Sequence, residues 1–197
     1  MPRSPASANY ASRQHQAPAA KRRIAQVAAG LIQDGQIVIL DGGTTNLLVA
    51  QYLRANLQAT VITNSPPVVM ALMEHPNVEV ILLGGRLFKH SMVTTGAAAL
   101  DMLRMIHADL YMLGVNSLHP EIGISDLNIE ETYVKRMMIE NAAEVAALVS
   151  AEKFGTAAPY VVCPLNALTY LITENNVSDE IIAPYTEQGI TVLRAEA

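Results

Sequence analysis

Cysteine is nearly absent from this chain: Cys163 is the only one in 197 residues. That excludes an intrachain disulfide framework and a thiolate metal cluster, and it fits a reducing compartment. Long apolar runs are missing too. None approaches the ~18 residues that a membrane span requires, and the polar N-terminus has no signal-peptide core. A cytoplasmic protein without a membrane partner is therefore expected. Acid is absent from residues 1–23, which carry Arg3, Arg13, Lys21, Arg22 and Arg23. Of the 13 basic residues, 8 remain for the rest of the chain against all 18 acids, a net charge of −10. An acidic body is a poor ligand for duplex DNA, whose affinity comes largely from neutralised phosphates.

Several catalytic and cofactor patterns are missing as well. His15, His75, His90, His107 and His119 are scattered, with no metal-ligand spacing. There is no Gly-x-Ser-x-Gly elbow and no Gly-Lys-Ser/Thr to complete a Walker loop. No Gly-x-Gly-x-x-Gly follows a strand, which argues against a dinucleotide. Cys163 sits between Val162 and Pro164 and reads as an inert core thiol. We expect no metal and no cofactor.

What is present is a chain of globular composition, 51% hydrophobic and 16% charged, of a length that suits one α/β domain. Residues 1–20 are rich in Pro, Ser, Ala and Gln without apolar periodicity and read as a basic, flexible linker. Residues 21–197 read as the folded domain. In it, residues 21–33, 44–54, 66–74, 97–106, 130–142 and 178–183 have helical character. Short apolar strands are expected at 36–40, 60–63, 78–83, 110–115, 144–149, 169–173 and 190–193. The alternation predicts a largely parallel sheet with helices on both faces.

Ligands of open α/β sheets bind beyond the carboxyl ends of the strands. Those ends are polar here: Asp41-Gly42-Gly43-Thr44-Thr45 after the first strand, Thr63-Asn64-Ser65, Gly84-Gly85-Arg86, Gly114-Val115-Asn116, and Ser150 to Gly155 with Lys153. The first is the most specific. Gly42 and Gly43 allow a tight turn, and the helix opening at Thr44 exposes unpaired amides to an anion such as a single phosphate. An ordinary strand-to-helix turn capped by threonine accounts for the same residues. Asp41 suits loop amides or a ligand hydroxyl better than a phosphate. Glu131 and Lys135 lie one helical turn apart, the spacing of an exposed ion pair.

The ordered series KRRIA (Lys21–Ala25), DGGTT (Asp41–Thr45), TNS (Thr63–Ser65), VILLGG (Val80–Gly85), Gly96, ADLYMLGV (Ala108–Val115), GIS (Gly123–Ser125), ETYVKRMM (Glu131–Met138) and KFG (Lys153–Gly155) resembles the C-terminal sensor domain of DeoR-family transcriptional regulators. The resemblance implies a fold similar to ribose-5-phosphate isomerase and CoA-transferase-like domains. It implies a sugar phosphate or related metabolite as effector, a homo-oligomer (dimer or tetramer), regulation of carbohydrate metabolism, usually by repression, and no catalysis. It places the phosphate loop at Gly42–Thr45, with Gly84 and Gly85 opposite. Asp41, Asn64, Arg86, Asn116, Glu131, Lys135 and Lys153 would line the rest. Family members begin with a winged helix-turn-helix, absent from this chain, so operator DNA is expected to be met only through an N-terminal domain missing here. A sugar-phosphate isomerase-like enzyme on the same fold and a scaffold with a vestigial pocket are the alternatives.

Overall fold

The apolar runs that look uniform in sequence sort themselves between two cores. The computed structural model describes residues 2 and 4–196; Met1 and Arg3 of the basic N-terminal stretch lie outside the described residues, as does Ala197. The elements run α1 (Tyr10–Gln14), α2 (Pro18–Leu31), β1 (Ile37–Leu40), α3 (Thr44–Gln51), β2 (Ala59–Thr63), α4 (Pro66–Leu72), β3 (Val78–Leu82), β4 (Arg86–Phe88), β5 (Val93–Thr95), α5 (Ala97–Leu103), β6 (Ala108–Gly114), β7 (Ser117–His119), β8 (Gly123–Asp126), α6 (Ile129–Glu140), β9 (Ala142–Leu148), β10 (Tyr160–Cys163), β11 (Tyr170–Glu174), α7 (Asp179–Thr186) and β12 (Thr191–Ala195).

Seven strands form one parallel sheet in the order β12-β11-β9-β6-β1-β2-β3. Alternate side chains point to opposite faces. Val38, Leu40, Leu110, Met112, Ala146 and Leu148 pack with α2, α3 and α4 on one side. Ile39, Tyr111, Leu113, Val145 and Ala147 pack with α5, α6 and α7 on the other. Burying both faces of the central strands explains why they read as near-continuous apolar runs. Each fully buried Leu or Ile contributes ~1.5–3 kcal/mol.

From β1 the chain proceeds outward through β2 and β3, then returns to β6 on β1's other side and continues outward through β9. The strand order reverses between β1 and β6, which is where a parallel sheet opens a crevice at its carboxyl edge.

Two features depart from the sequence expectation. The stretch expected as a linker is folded: a short turn at Pro5–Ser7, then α1, with α2 beginning at Pro18. Ser4, Ala6, Tyr10 and Ala20 are buried. Small residues without helical periodicity can still pack when an existing surface receives them, and no local pattern records that. Two small antiparallel sheets, β4-β5 and β10-β8-β7, also escape the reading. Their strands of three or four residues are too short to show an alternation, and β10 lies far in sequence from its partner β8.

Gly123 sits where β8 meets β10, at φ +85°, and a Cβ there would stand 2.2 Å from the Cys163 carbonyl oxygen. Gly123→Ala is expected to cost at least ~1–3 kcal/mol. In thermal unfolding that is a drop of about 2–12 °C for a domain of this size; an unchanged Tm would refute the packing described.

Candidate functional site

The crevice at the β1/β6 reversal is closed at its base by a buried ionic cluster. β1 ends in Asp41, which is 1% exposed. Its Oδ1 accepts the Gly42 N–H (2.7 Å). Its Oδ2 accepts the Tyr111 hydroxyl and the Gly114 N–H, each at 3.0 Å. The Lys135 ammonium, from the middle of α6, lies 2.9 Å from Asp41 Oδ2 and 3.4 Å from Asp126 Oδ2 at the end of β8, and it also donates to the Gly114 carbonyl. A Cβ on Gly114 would lie 2.6 Å from the Gly42 carbonyl oxygen, so the ends of β1 and β6 meet with no room for a side chain.

These groups shape one another's charge. Burial works against the Lys135 ammonium, but Asp41, Asp126 and Glu131 outweigh it and hold the lysine charged, above its ordinary range. Burial and repulsion from Asp126 push the Glu131 carboxyl up to about 7, against the pull of Lys135 and a 2.8 Å hydrogen bond from the Ser91 hydroxyl. Burial and Asp41 push the Tyr111 phenol well above its usual range, so it acts as a donor.

Above this base is a cavity of about 210 Å3. On one side is the start of α3. Gly43, at φ 110°, is its N-cap, and no side chain caps the helix. Thr44, Thr45 and Asn46 line the cavity at this terminus. Asn46 donates to the Met112 carbonyl (3.1 Å), while its buried Oδ1 has no partner. Another part of the lining is basic: Arg13, Lys21 and Lys153, with Glu152 beside them. Burial, opposed by Glu152 and reinforced by Lys21, Arg13 and Lys135, pulls the Lys153 ammonium down to about 7. Burial also lowers Lys21. Phe88, His90, Ser91 and Val93, from the β4-β5 hairpin, form a third part of the lining. Among the described residues, no group of three or more His, Cys, Asp or Glu is set to hold a metal ion, and no helix is long and apolar enough to cross a membrane.

Residues 16–175 match the DeoR C-terminal sensor domain. The chain belongs to the DeoR family. This DeoR sensor domain is 31% identical to the HTH-type transcriptional regulator GolR of Listeria innocua, over 89% of the chain and 69% of that protein. It is 34% identical to the HTH-type transcriptional repressor GlcR of Bacillus subtilis, over 95% of the chain and 72% of that protein. It is 31% identical to the glycerol-3-phosphate regulon repressor of Escherichia coli, over 68% of the chain and 54% of that protein. Among solved structures it resembles eIF2B beta of Chaetomium thermophilum, with TM-score 0.59, 15% identity, 87% of this chain and 54% of the other. Ribose 5-phosphate isomerase A of Neisseria gonorrhoeae gives TM-score 0.51 and 10% identity, over 69% of this chain and 53% of the other. The chain thus spans about half the length of each of those structures. At such identities they establish a shared α/β fold and nothing about activity.

Nine residues singled out in the sequence of this DeoR domain come together around the cavity: Asp41, Gly42, Gly43, Thr44, Thr45, Asn116, Glu131, Lys135 and Lys153. Asp41 holds loop amides, as its placement beside an anion loop suggested. Glu131 and Lys135 are buried rather than an exposed pair. Four residues stand outside the lining. Asn64 is buried behind the loop, where its backbone carbonyl accepts the Thr94 N–H (2.7 Å). Gly84 and Gly85 turn the chain into β4, and a Cβ on Gly85 would strike the Thr95 carbonyl oxygen at 2.4 Å. Arg86 is exposed. The wall expected from Gly84 and Gly85 is instead supplied farther along the same hairpin, by Phe88 to Val93.

Arg13, Lys21, His90, Ser91, Asp126 and Glu152 were not foreseen as lining residues. Lys21 carried a readable signal. It shares a helical face with Ile24, Ala25 and Ala28, all buried, whereas Arg22 and Arg23 are exposed. A lysine at an apolar position of an amphipathic helix demands an explanation.

Lys135→Met would strand two buried carboxylates, and we expect it to cost about 3–5 kcal/mol in urea unfolding; a cost below ~1 kcal/mol would contradict the cluster. Lys153 supplies a pH test. Its pKa falls from 10.5 unfolded to about 7 folded, so its burial costs nothing above pH 10.5. The cost grows as pH falls from 10.5 towards 7 and is fully present below 7. Lys153→Met should therefore be more stable than the parent at pH 7, by ~1–3 kcal/mol, with the difference narrowing by pH 10. A difference independent of pH would contradict the burial of an ionisable amine.

Proposed function

We propose that this domain senses a sugar phosphate or a related small phosphorylated metabolite for a DeoR-type regulator of carbohydrate metabolism, and catalyses nothing. The observation that carries the reading is the uncapped start of α3, whose first turn lines a closed-based polar cavity. Free amides at a helix N-terminus attract negative charge, and the Thr44 and Thr45 hydroxyls add donors. The cavity's size, below the ~300–1,000 Å3 typical of drug-sized ligands, favours a small metabolite. The name of one relative, the glycerol-3-phosphate regulon repressor of Escherichia coli, points the same way. The domain itself is acidic, so operator DNA would be met by an N-terminal domain outside this chain, in the cytoplasm. Ligand occupancy would reach that domain through the placement of subunits in a homo-oligomer, because a ligand shifts only equilibria whose states it distinguishes.

Thermal unfolding against a panel of triose, pentose and hexose phosphates tests this. At a hundredfold excess over Kd a ligand stabilises by ~2.7 kcal/mol, which is about 5–10 °C here. Thr44→Ala/Thr45→Ala should remove most of that shift. No stabilisation by any phosphorylated metabolite would sink the reading.

One observation keeps an isomerase-like enzyme as a second reading: Glu131 lines the cavity with its carboxyl pushed up to about 7, a poise suited to proton transfer at neutral pH. Turnover of ribose 5-phosphate that Glu131→Gln abolishes would favour it over the sensor; absence of turnover by a protein that binds the sugar would exclude it.

A further inference from the structure

The folded N-terminal segment is held by residues that also line the cavity. The Tyr10 N–H donates to the His90 carbonyl (2.8 Å), and a ring nitrogen of His90 lies 3.3 Å from the Ser7 carbonyl oxygen. Asn116 Nδ2 donates to the Ala6 carbonyl (3.2 Å), and the Lys21 ammonium to the Arg13 carbonyl. His90, Asn116 and Lys21 all face the cavity. In return the segment places Arg13 in the lining, packed 6.0 Å from the Tyr10 ring centroid.

Arg13 is chemically incomplete as it stands. Its Nε and Nη2 are buried and have no hydrogen-bond partner. Three basic groups, Arg13, Lys21 and Lys153, meet here around one carboxylate, Glu152, whose Oε1 already accepts the Ser150 hydroxyl (2.6 Å). Buried charged donors left unpaired are costly, and a guanidinium's planar fork matches the oxygens of a phosphoryl group.

We propose that Arg13 is an effector ligand: the phosphoryl group is gripped between Arg13, Lys21 and Lys153, so that occupancy fixes residues 4–16 over the cavity. The proposal rests on the reading of the cavity as an anion sensor and adds its relay. Residues 4–15 precede the stretch that matches the sensor family, so the grip ties the ligand to the chain leading into the domain. By linkage, a ligand that binds better with the segment docked favours docking by the same factor.

The test is hydrogen exchange of the whole chain, without ligand and with inorganic phosphate or the sugar phosphate giving the largest thermal shift. Amides of residues 10–16 should gain about tenfold protection on binding. Arg13→Ala should weaken binding about tenfold or more and remove that gain, and Arg13→Lys should retain part of both. Arg23→Ala, at an exposed position of α2, should change neither. If the ligand binds Arg13→Ala as tightly as the parent, or if it loosens residues 10–16 or leaves their exchange unchanged, the relay is wrong while the sensor reading stands. If no probe binds the parent chain, both fall.

Discussion

One lysine placed between two buried carboxylates holds this site together. Lys135 reaches from α6 to Asp41 at the end of β1 and to Asp126 at the end of β8, and also bonds the last carbonyl of β6. Four elements, β1 being far in sequence from the other three, are thereby fixed at the point where the strand order reverses. Removing charge from water is expensive, and such a cluster persists only when its hydrogen bonds are filled. Here they are: Asp41 accepts from two amides, a phenol and an ammonium. With its acceptors occupied, Asp41 can lie beside a loop suited to anions, and its grip on Gly42 and Gly114 sets that loop's shape.

The cavity above the cluster combines donors of three kinds: the free first turn of α3, the threonine hydroxyls and the basic group of Arg13, Lys21 and Lys153. Like charges gathered in a largely buried site are a poor arrangement in themselves. Burial and the neighbouring cations pull Lys153 down to about 7 against Glu152, which eases the repulsion within the group. A bound dianion would reverse that balance, and the resulting free energy is what a sensor can convert into a change of shape. The family match to a sensor domain and the basic, polar lining of the cavity are independent observations.

Much of the fold was legible in the chain. Strands buried on both faces leave apolar runs, and amphipathic helices leave a 3.6-residue rhythm, so all seven strands of the parallel sheet and the helices from α2 onward were placed within a few residues. The turn into α3 was legible because Gly42, Gly43 and Thr44 impose a local geometry. What failed left no local pattern: the strands of the β4-β5 hairpin are too short to alternate, and the packing of residues 4–17 and the burial of Glu131 and Lys135 depend on contacts between distant segments. Gly84 and Gly85 resemble the first loop in composition, but their backbone serves the turn against Thr95. Lys21 lies between these cases, since its position on an apolar face was visible and its meaning was not.

The most direct test of the central claim is a crystal structure of the domain with a phosphorylated metabolite that stabilises it. The account predicts phosphoryl oxygens within hydrogen-bond distance of the amides or hydroxyls at Thr44 and Thr45, inside the cavity floored by Asp41 and Lys135. A ligand bound elsewhere, or a cavity found closed with the first-turn amides of α3 satisfied by protein groups, would contradict it.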